Sequence, residues 1–175
     1  MVIAGQGTTG LEIAEQAAEA GIDAADVLVC CGGGGLASGI ALALAARAPG
    51  LRVRTAEPAG FDDTARSLVA GRRVANAPGG TSICDAIVTP EPGAITFPVL
   101  ARLAGPGLAV TDDEALRAMA LAFRHLRIVV EPGGAVALAA ALFRGEALEG
   151  DAVIAVASGG NVDPALFARA LATLD

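Results

Sequence analysis

The fold is decided by the stretch from Val27 to Gly39, which reads VLVCCGGGGLASG. It opens with a short apolar run, which is typical of a strand buried on both faces of a sheet. Four glycines follow, and an alanine- and leucine-rich segment beginning at Leu36 predicts a helix. A strand that turns through glycines into a helix is the repeating unit of a parallel sheet covered by helices.

The same alternation of apolar runs and helical segments continues over the rest of the chain. Strands are predicted at Val2–Ala4, Val27–Cys31, Val53–Ala56, Leu108–Val110, Ile128–Val130 and Val153–Ala157. Helices are predicted at Thr9–Ala20, Leu36–Ala46, Asp62–Val69, Phe97–Leu103, Asp112–His125, Gly134–Phe143 and Pro164–Leu174. We therefore expect an α/β fold, a three-layer, mostly parallel twisted sheet with helices on both faces.

Local signals refine this pattern. Two helix starts carry a capping box, in which a hydroxyl precedes a glutamate by three positions: Thr9 with Glu12 and Thr111 with Glu114. The segment from Arg72 to Pro92 is rich in Gly, Pro, Thr and Ser, and it is predicted to be irregular. A loop of this length in a compact domain is usually functional or packed on a partner.

Composition excludes several partners and chemistries. The 175 residues carry 19 acidic and 12 basic side chains, for a formal net charge of −7, which disfavours nucleic acids and anionic membrane surfaces. The longest apolar stretches, Leu36–Ala46 and Ala135–Phe143, are shorter than the roughly 18 residues of a membrane-spanning helix. All 12 basic residues are arginine, so this chain contains no lysine for a Schiff base or a Walker loop. We expect a cytoplasmic protein with neither nucleic-acid nor membrane partners.

The cysteines and the single histidine carry little chemical signal. Cys30, Cys31 and Cys84 form no spaced metal motif, and we expect buried thiols in a reducing compartment. His125 is expected near the end of a helix, where a base complements the helix dipole.

The glycine run from Gly32 to Gly35 has three possible roles. Glycines let backbone N–H groups approach a ligand, and the following helix N-terminus favours an anion, so a phosphate is the expected guest. One interpretation is a dinucleotide site, because Gly32, Gly34 and Ala37 satisfy G-x-G-x-x-A and Glu57 follows where a ribose-binding acid belongs. The second is a phosphate cup for a smaller cofactor, and the third is a turn that only lets strand and helix pack closely.

Further motifs occur at other predicted strand ends, and together with the glycine run they have a recognisable order. These are Gly5-Gln6-Gly7-Thr8, Ala56-Glu57-Pro58, Glu131-Pro132-Gly133-Gly134 and Ser158-Gly159-Gly160-Asn161. The set resembles the fold-type II pyridoxal-phosphate enzymes, specifically the serine/threonine dehydratase (threonine ammonia-lyase) and serine racemase family, in its C-terminal half only. The resemblance implies that residues 1–175 are part of the large, cofactor-binding domain. The small domain, the segment with the Schiff-base lysine and the regulatory domain would be absent.

The resemblance also implies roles for individual residues. The phosphate of pyridoxal 5'-phosphate would be held by Gly32, Gly33, Gly34, Gly35 and Leu36. Ser158 would hydrogen-bond the pyridine nitrogen, with Glu131 facing the ring from a strand end and Gly159 keeping the backbone close. Mg²⁺ or another divalent cation would be held by Glu57, Asp63 and the carbonyl of Phe61, since oxygen ligands suit such ions. Asp62 and Asp63 could instead be an acidic cluster at a helix N-terminus without a metal.

The function implied is a fragment of a hydroxy-amino-acid ammonia-lyase, which eliminates water from its substrate and yields a 2-oxo acid and ammonia. Serine racemase and hydroxyaspartate dehydratase are alternatives within the family. An NAD-dependent oxidoreductase and a catalytically inactive binding fragment are alternatives outside it. The expected partners are a small amino-acid substrate, the missing N-terminal half of the same protein and, in the full-length form, a second copy as a homodimer. Without a lysine, the chain alone is expected to be inactive.

Overall fold

The computed structural model describes residues 1–174 and contains one sheet of four parallel strands. The strands are β1 Ala25–Cys30, β2 Leu51–Pro58, β3 Leu108–Val110 and β4 Val153–Val156, in the spatial order β3-β2-β1-β4. All neighbouring pairs are parallel. The observed β3 has the predicted bounds, and the other three strands overlap the predicted ones.

Helices connect the strands. The α-helices are α1 Val2–Glu19, α2 Gly35–Arg47, α3 Asp63–Ala70, α4 Phe97–Leu103, α5 Asp112–Leu121, α6 Pro132–Phe143 and α7 Pro164–Leu171. Short 3₁₀ turns occupy Asp85–Ile87, Gly145–Ala147 and Ala172–Leu174, and a π-helical turn at Ala122–Leu126 continues α5 and contains His125. The capping box of Thr111 and Glu114 is present at the start of α5, as predicted.

Each face of the sheet has its own apolar core. The central strand β1 is buried along its whole length, and its alternate side chains point to opposite faces. Leu28 and Cys30 pack in a cluster with residues of α5 and α6, whereas Val27 and Val29 pack in a second cluster with residues of α1 and α2. The predicted three-layer α/β fold is therefore confirmed.

The predicted strand Val2–Ala4 is wrong, because these residues form the first turn of α1. This helix packs closely on α2: a Cβ atom added at Gly39 would lie 2.5 Å from the Ile3 carbonyl oxygen and 2.7 Å from the Gly7 nitrogen. The segment Val2–Ala4 therefore packs on a helix, and it pairs with no strand within residues 1–174. The capping box predicted at Thr9 is also wrong, since Thr9 lies inside α1, where the backbone N–H groups bond within the helix.

The predicted strand Ile128–Val130 is likewise wrong, because these residues pair with no strand among residues 1–174. The segment packs instead along the loop after β4, where a Cβ atom on Gly160 would lie 2.7 Å from the Val129 carbonyl oxygen. Glu131 therefore stands at the N-cap of α6, not at the end of a strand.

Two further structural expectations are confirmed. The segment from Arg72 to Pro92 is irregular apart from its one 3₁₀ turn. The cysteines Cys30, Cys31 and Cys84 are buried free thiols. None of the helices within residues 1–174 is long and apolar enough to cross a membrane.

Candidate cofactor site

The glycine run links the end of β1 to the start of α2. Gly34 is the N-cap of this helix and has φ 84°, a left-handed conformation that glycine adopts readily. None of the backbone N–H groups from Gly32 to Leu36 donates a hydrogen bond to another of the described residues. Free amides at the positive end of a helix of 13 residues form an anion-binding arrangement.

The loop is fixed by contacts on its outer side. The Thr96 hydroxyl donates to the Gly33 carbonyl at 2.6 Å, and a Cβ atom on Gly34 would lie 2.9 Å from the same hydroxyl oxygen. A Cβ atom on Gly32 would lie 3.1 Å from the backbone of Ile87. A Cβ atom on Gly33 would meet nothing within 4 Å. The loop is therefore anchored on one side and open at Gly33.

Sequence reasoning missed Thr96. A threonine followed by a proline in the next helical turn does indicate a helix N-cap, and Thr96 is the N-cap of α4. Its contact with the glycine loop joins residues 63 positions apart and could not be read from the sequence.

Ser158 lies at the same edge of the sheet as the glycine loop. Its hydroxyl oxygen is 2.8 Å from Sγ of Cys30, the last residue of β1, and Gly32 follows Cys30 by two positions. The approach depends on Gly134 in the first turn of α6, because a Cβ atom there would lie 1.5 Å from the Ser158 carbonyl oxygen. Two motifs that are distant in sequence thus meet at the carboxyl ends of adjacent strands, where α/β folds bind ligands.

Glu131 and Gly159 form the rim next to Ser158. The Glu131 amide donates to the Gly159 carbonyl at 3.1 Å, and the Asn161 amide donates to Oε2 of Glu131 at 3.1 Å. Gly159 has φ 72°, and a Cβ atom there would lie 2.4 Å from Oε1 of Glu131. The carboxylate of Glu131 thus holds the Ser158–Asn161 loop against the start of α6.

An acidic pair lies at the end of β2. Glu57 is fully buried and accepts hydrogen bonds from the amides of Thr64 and Ala65, each at 2.8 Å. Asp63 is 1% exposed, and its Oδ1 accepts from the Asn76 side chain at 2.6 Å. Its Oδ2 is buried and has no hydrogen-bond partner among the described residues.

Burial dominates the electrostatics of this pair. The pKa of Glu57 is raised to about 8, because burial disfavours its charge; the amides of Thr64 and Ala65 oppose the shift, and the charge of Asp63 adds to it. Burial likewise raises the pKa of Asp63, against the hydrogen bond from Asn76. Two buried carboxyl groups of this kind are well matched to a bound cation.

The cation ligands predicted from the sequence lie in one region. No backbone N–H of the described residues donates to the carbonyl of Phe61, which lies two residues before Asp63. Within residues 1–174, however, no group of three or more His, Cys, Asp or Glu side chains could hold a metal ion. A cation here would need the Phe61 carbonyl and water in addition to the carboxylates. Asp62 is the N-cap of α3, so the alternative of an acidic helix N-terminus also has a structural basis.

Asn76 connects the acidic pair to the glycine loop, and sequence reasoning missed it. Its side-chain amide donates to Asp63 and to the Thr89 carbonyl, and its own N–H donates to the Pro90 carbonyl. Thr89 in turn lies against the loop, because its Cγ2 would be 3.3 Å from a Cβ atom on Gly32. One asparagine thus fixes the segment that separates the two sites.

The site fits a phosphate monoester attached to a ring better than it fits a dinucleotide. The dinucleotide interpretation needs the Glu57 carboxylate to be free for a ribose hydroxyl. Glu57 is 0% exposed and is held by α3 amides, so a group as large as a ribose cannot reach its carboxylate. The glycine amides and the Ser158 hydroxyl, by contrast, lie at one sheet edge.

The chain is similar in sequence and in fold to known proteins. A model of the family described as pyridoxal-phosphate dependent enzyme matches residues 1–159. The serine racemase of Dictyostelium discoideum is 38% identical over 173 residues, which cover 97% of this chain and 52% of that protein. The beta-hydroxyaspartate dehydratase of Paracoccus denitrificans is 41% identical over 164 residues, which cover 93% of this chain and 50% of that protein.

Among solved structures, a threonine deaminase from T.th. superposes with a TM-score of 0.86 and 40% sequence identity. The match covers 92% of this chain and 57% of that one. The chain spans about half the length of the curated relatives it matches.

Proposed function

This chain belongs to the pyridoxal-phosphate dependent enzyme family, and we propose that it is the C-terminal half of an ammonia-lyase for small β-hydroxy amino acids. In this proposal residues 1–175 are part of the large domain, and the small domain and the Schiff-base lysine lie in a separate segment. The observation that carries the proposal is the contact between Cys30 and Ser158, because it brings the ring-binding hydroxyl to the glycine loop.

The phosphate of the cofactor is bound by the free amides from Gly32 to Leu36. The N-terminus of α2 adds its partial positive charge, which favours a dianion. Thr96 keeps the Gly33 carbonyl on the outer side of the loop. The chain offers no lysine to this phosphate, so binding depends on backbone N–H groups.

The ring is held by Ser158, whose loop is fixed by Glu131 and Gly134. When bound, pyridoxal phosphate supplies an electron sink next to the amino group of the substrate. Ser158 donates a hydrogen bond to the ring nitrogen and keeps its proton, because a hydroxyl is too weak an acid to protonate that nitrogen. This moderate activation suits the loss of a β-hydroxyl group.

The substrate class follows from the named relatives. Their names cover threonine deamination, hydroxyaspartate dehydration and serine racemisation, and L-threonine, L-serine or a hydroxyaspartate is the proposed substrate. Serine racemase is the second candidate, favoured by the relative from Dictyostelium discoideum. Both candidates use the same cofactor site in this half of the protein. The resemblance also supports a homodimer for the full-length enzyme, and the buried free thiols suit a cytoplasmic location.

The test uses a substitution inside the glycine loop. Gly33→Asp introduces a carboxylate where a Cβ atom meets nothing within 4 Å, so the variant should fold while its charge repels the phosphate. The matched control is Gly145→Asp, which has equal room and changes the net charge equally, but lies in a 3₁₀ turn outside the site. Equilibrium dialysis measures binding of pyridoxal phosphate, of pyridoxal without the phosphate, and of NADH.

We expect the wild type and Gly145→Asp to bind pyridoxal phosphate equally and Gly33→Asp to bind it at least tenfold more weakly. Pyridoxal should bind weakly to all three chains. Equal binding of pyridoxal phosphate by the two variants, or tight binding of NADH alone, would overturn the proposal. With L-threonine and cofactor, the chain by itself should release no 2-oxo acid, because the Schiff base needs a lysine.

We also propose that Glu57, Asp63 and the Phe61 carbonyl hold a hard divalent cation such as Mg²⁺. The supporting observation is the buried Oδ2 of Asp63, which lacks a partner among the described residues and lies near a second buried carboxyl group, that of Glu57. A cation would satisfy this atom and offset the cost of burying two carboxylates.

Thermal unfolding with and without Mg²⁺ tests the cation site. We expect millimolar Mg²⁺ to raise the Tm of the wild type and to leave the Tm of Asp63→Asn unchanged. Asp62→Asn is the control, because Asp62 is partly exposed and pairs with Arg66. If Mg²⁺ does not stabilise the wild type, the acids form a helix N-terminal cluster without a metal.

A further inference from the structure

The Ser158 side chain makes one hydrogen bond among the described residues, and its partner is a thiol. Its hydroxyl meets the Cys30 thiol at 2.8 Å and hydrogen-bonds to no other side chain or backbone group of the described residues. Its main chain is fixed separately, because the Ser158 amide donates to the Gly134 carbonyl at 3.4 Å. Among the described residues, Cys30 is thus the one partner of the Ser158 hydroxyl.

The number of hydrogens on the hydroxyl and the thiol limits which of the two groups can donate and which can accept. A hydroxyl has one hydrogen and can accept as well, and a thiol has one hydrogen. If the Ser158 hydrogen points to an acceptor on a ligand, the Ser158 oxygen is left to accept a bond, and the Cys30 S–H is the donor within reach. If the hydrogen points to the sulfur, the hydroxyl can offer the ligand only its oxygen.

The Cys30 thiol is suited to the donor role. Cys30 is 6% exposed, and burial raises the pKa of its thiol; the hydrogen bond from Ser158 opposes the shift, and the charge of Glu131 adds to it. The sulfur therefore keeps its hydrogen at neutral pH. A thiolate in the same place would accept the Ser158 hydrogen and compete with a ligand.

We propose that Cys30 is a positioning residue whose thiol donates to Oγ of Ser158 and thereby directs the Ser158 hydroxyl hydrogen to the ring nitrogen of bound pyridoxal phosphate. The inference rests on the proposed function, because it needs Ser158 to meet the ring. It goes beyond that function in assigning a role to the residue that ends β1. Cys30 touches Ser158 and acts through it.

Substitutions of Cys30 can separate hydrogen bonding from packing. Cys30→Ala and Cys30→Ser have side chains of nearly equal volume, and only serine restores a donor. Cys30→Val is a second apolar variant that favours the strand, in case Cys30→Ala does not fold. Cys84→Ala is the control, because it removes another buried thiol of the same apolar cluster, one that makes no hydrogen bond to Ser158.

The readout is the ¹⁵N chemical shift of ring-labelled pyridoxal phosphate bound to the chain, together with its Kd. We expect Cys30→Ala and Cys30→Val to move the shift toward that of Ser158→Ala and to weaken binding about three- to tenfold, as for one lost neutral hydrogen bond. Cys30→Ser and Cys84→Ala should keep the wild-type shift. A role in packing alone would move the Kd and leave the shift unchanged.

The outcomes distinguish the role of Cys30 from the proposed function of the site. If the apolar variants keep the wild-type shift while Ser158→Ala changes it, or if Cys30→Ser behaves as Cys30→Ala does, the role of Cys30 is overturned and the proposed function stands. If Ser158→Ala also leaves the shift unchanged, or the wild type does not bind the cofactor, the proposed site fails and the role of Cys30 fails with it.

Discussion

Asp26 and Arg54 form a buried ion pair between β1 and β2. Their side chains are 2% and 4% exposed and are 3.0 Å apart. Asp26 also accepts hydrogen bonds from Arg52 and from the Glu149 amide, and Arg54 donates to the Pro106 and Ala147 carbonyls. Every partner belongs to the scaffold and none to the cofactor site, so this network tests stability separately from ligand binding.

Asp26→Asn should lower the free energy of unfolding at pH 7 by roughly 3 kcal/mol, because it leaves the Arg54 charge buried without its counter-ion. Chemical denaturation measures the change. The control is Glu149→Gln, which removes a charge from the same network where the side chain is 75% exposed, and it should cost less than about 1 kcal/mol. Equal losses in the two variants would contradict the assigned role of burial.

The same pair gives the stability a defined pH dependence. Burial alone would raise the pKa of Asp26, but the hydrogen bonds from Arg54, the Glu149 amide and Arg52 outweigh it and leave the pKa lowered. The folded chain therefore binds this proton more weakly than the unfolded chain does. The stabilisation is complete above the unfolded pKa of about 4 and is lost as the pH falls through the folded value. The stability difference between wild type and Asp26→Asn should shrink below about pH 4.

Some site residues could be predicted from sequence and others could not, for a physical reason. Gly32, Glu57 and Ser158 follow recognisable strands, and parallel strands bring their carboxyl ends to one edge. The contact of Cys30 with Ser158 spans 128 positions, and it depends on how closely β1 and α6 approach the loop after β4. No local pattern encodes that distance.

At the scale of elements, the pattern of apolar runs predicted the four strands of the sheet correctly and also predicted two strands that the structure does not contain among residues 1–174. The predicted strands in the buried centre were confirmed, because burial on both faces produces an apolar run. Val2–Ala4 and Ile128–Val130 are equally apolar, but the former packs on α2 as a helix and the latter lies unpaired beside the loop after β4. An apolar run indicates that a segment packs against other elements, but it does not indicate whether the segment packs as a strand, a helix or a loop.

The irregular segment from Arg72 to Pro92 depends on Asn76 for its place. Asn76→Ala removes the side-chain bonds to Asp63 and the Thr89 carbonyl and the bond that Oδ1 accepts from Arg66, and it keeps the backbone bond to Pro90. Three lost hydrogen bonds of about 1 kcal/mol each should open the segment at least tenfold more often. Trypsin reports this opening, because the chain contains no lysine and can be cut only after arginine, here Arg72 or Arg73.

The control for this experiment is Asn161→Ala, since the Asn161 side chain makes no hydrogen bond within the described residues. We expect Asn76→Ala to be cut after Arg72 or Arg73 at least ten times faster than the wild type and Asn161→Ala to be cut at the wild-type rate. Faster cutting spread over all arginine sites would indicate global unfolding and would contradict a local role for Asn76.

At the scale of the molecule, the sheet has an open edge. β4 is the last strand in the order β3-β2-β1-β4, and no strand within residues 1–174 pairs with its outer side. Val153 in this strand is 40% exposed. A strand edge with exposed apolar side chains favours pairing with another chain. The net charge of −7 makes two copies repel each other, and salt weakens this repulsion.

Sedimentation at low and at moderate ionic strength should therefore show self-association that increases with salt. Val153→Lys adds a charge at the open edge and should shift the chain toward monomer at every salt concentration. Val69→Lys changes the net charge equally, but at a residue of α3 that is 90% exposed and lies away from the sheet edge. If both variants dissociate the chain equally, net charge controls association and the edge does not; if Val153→Lys alone does so, the unpaired side of β4 is the contact.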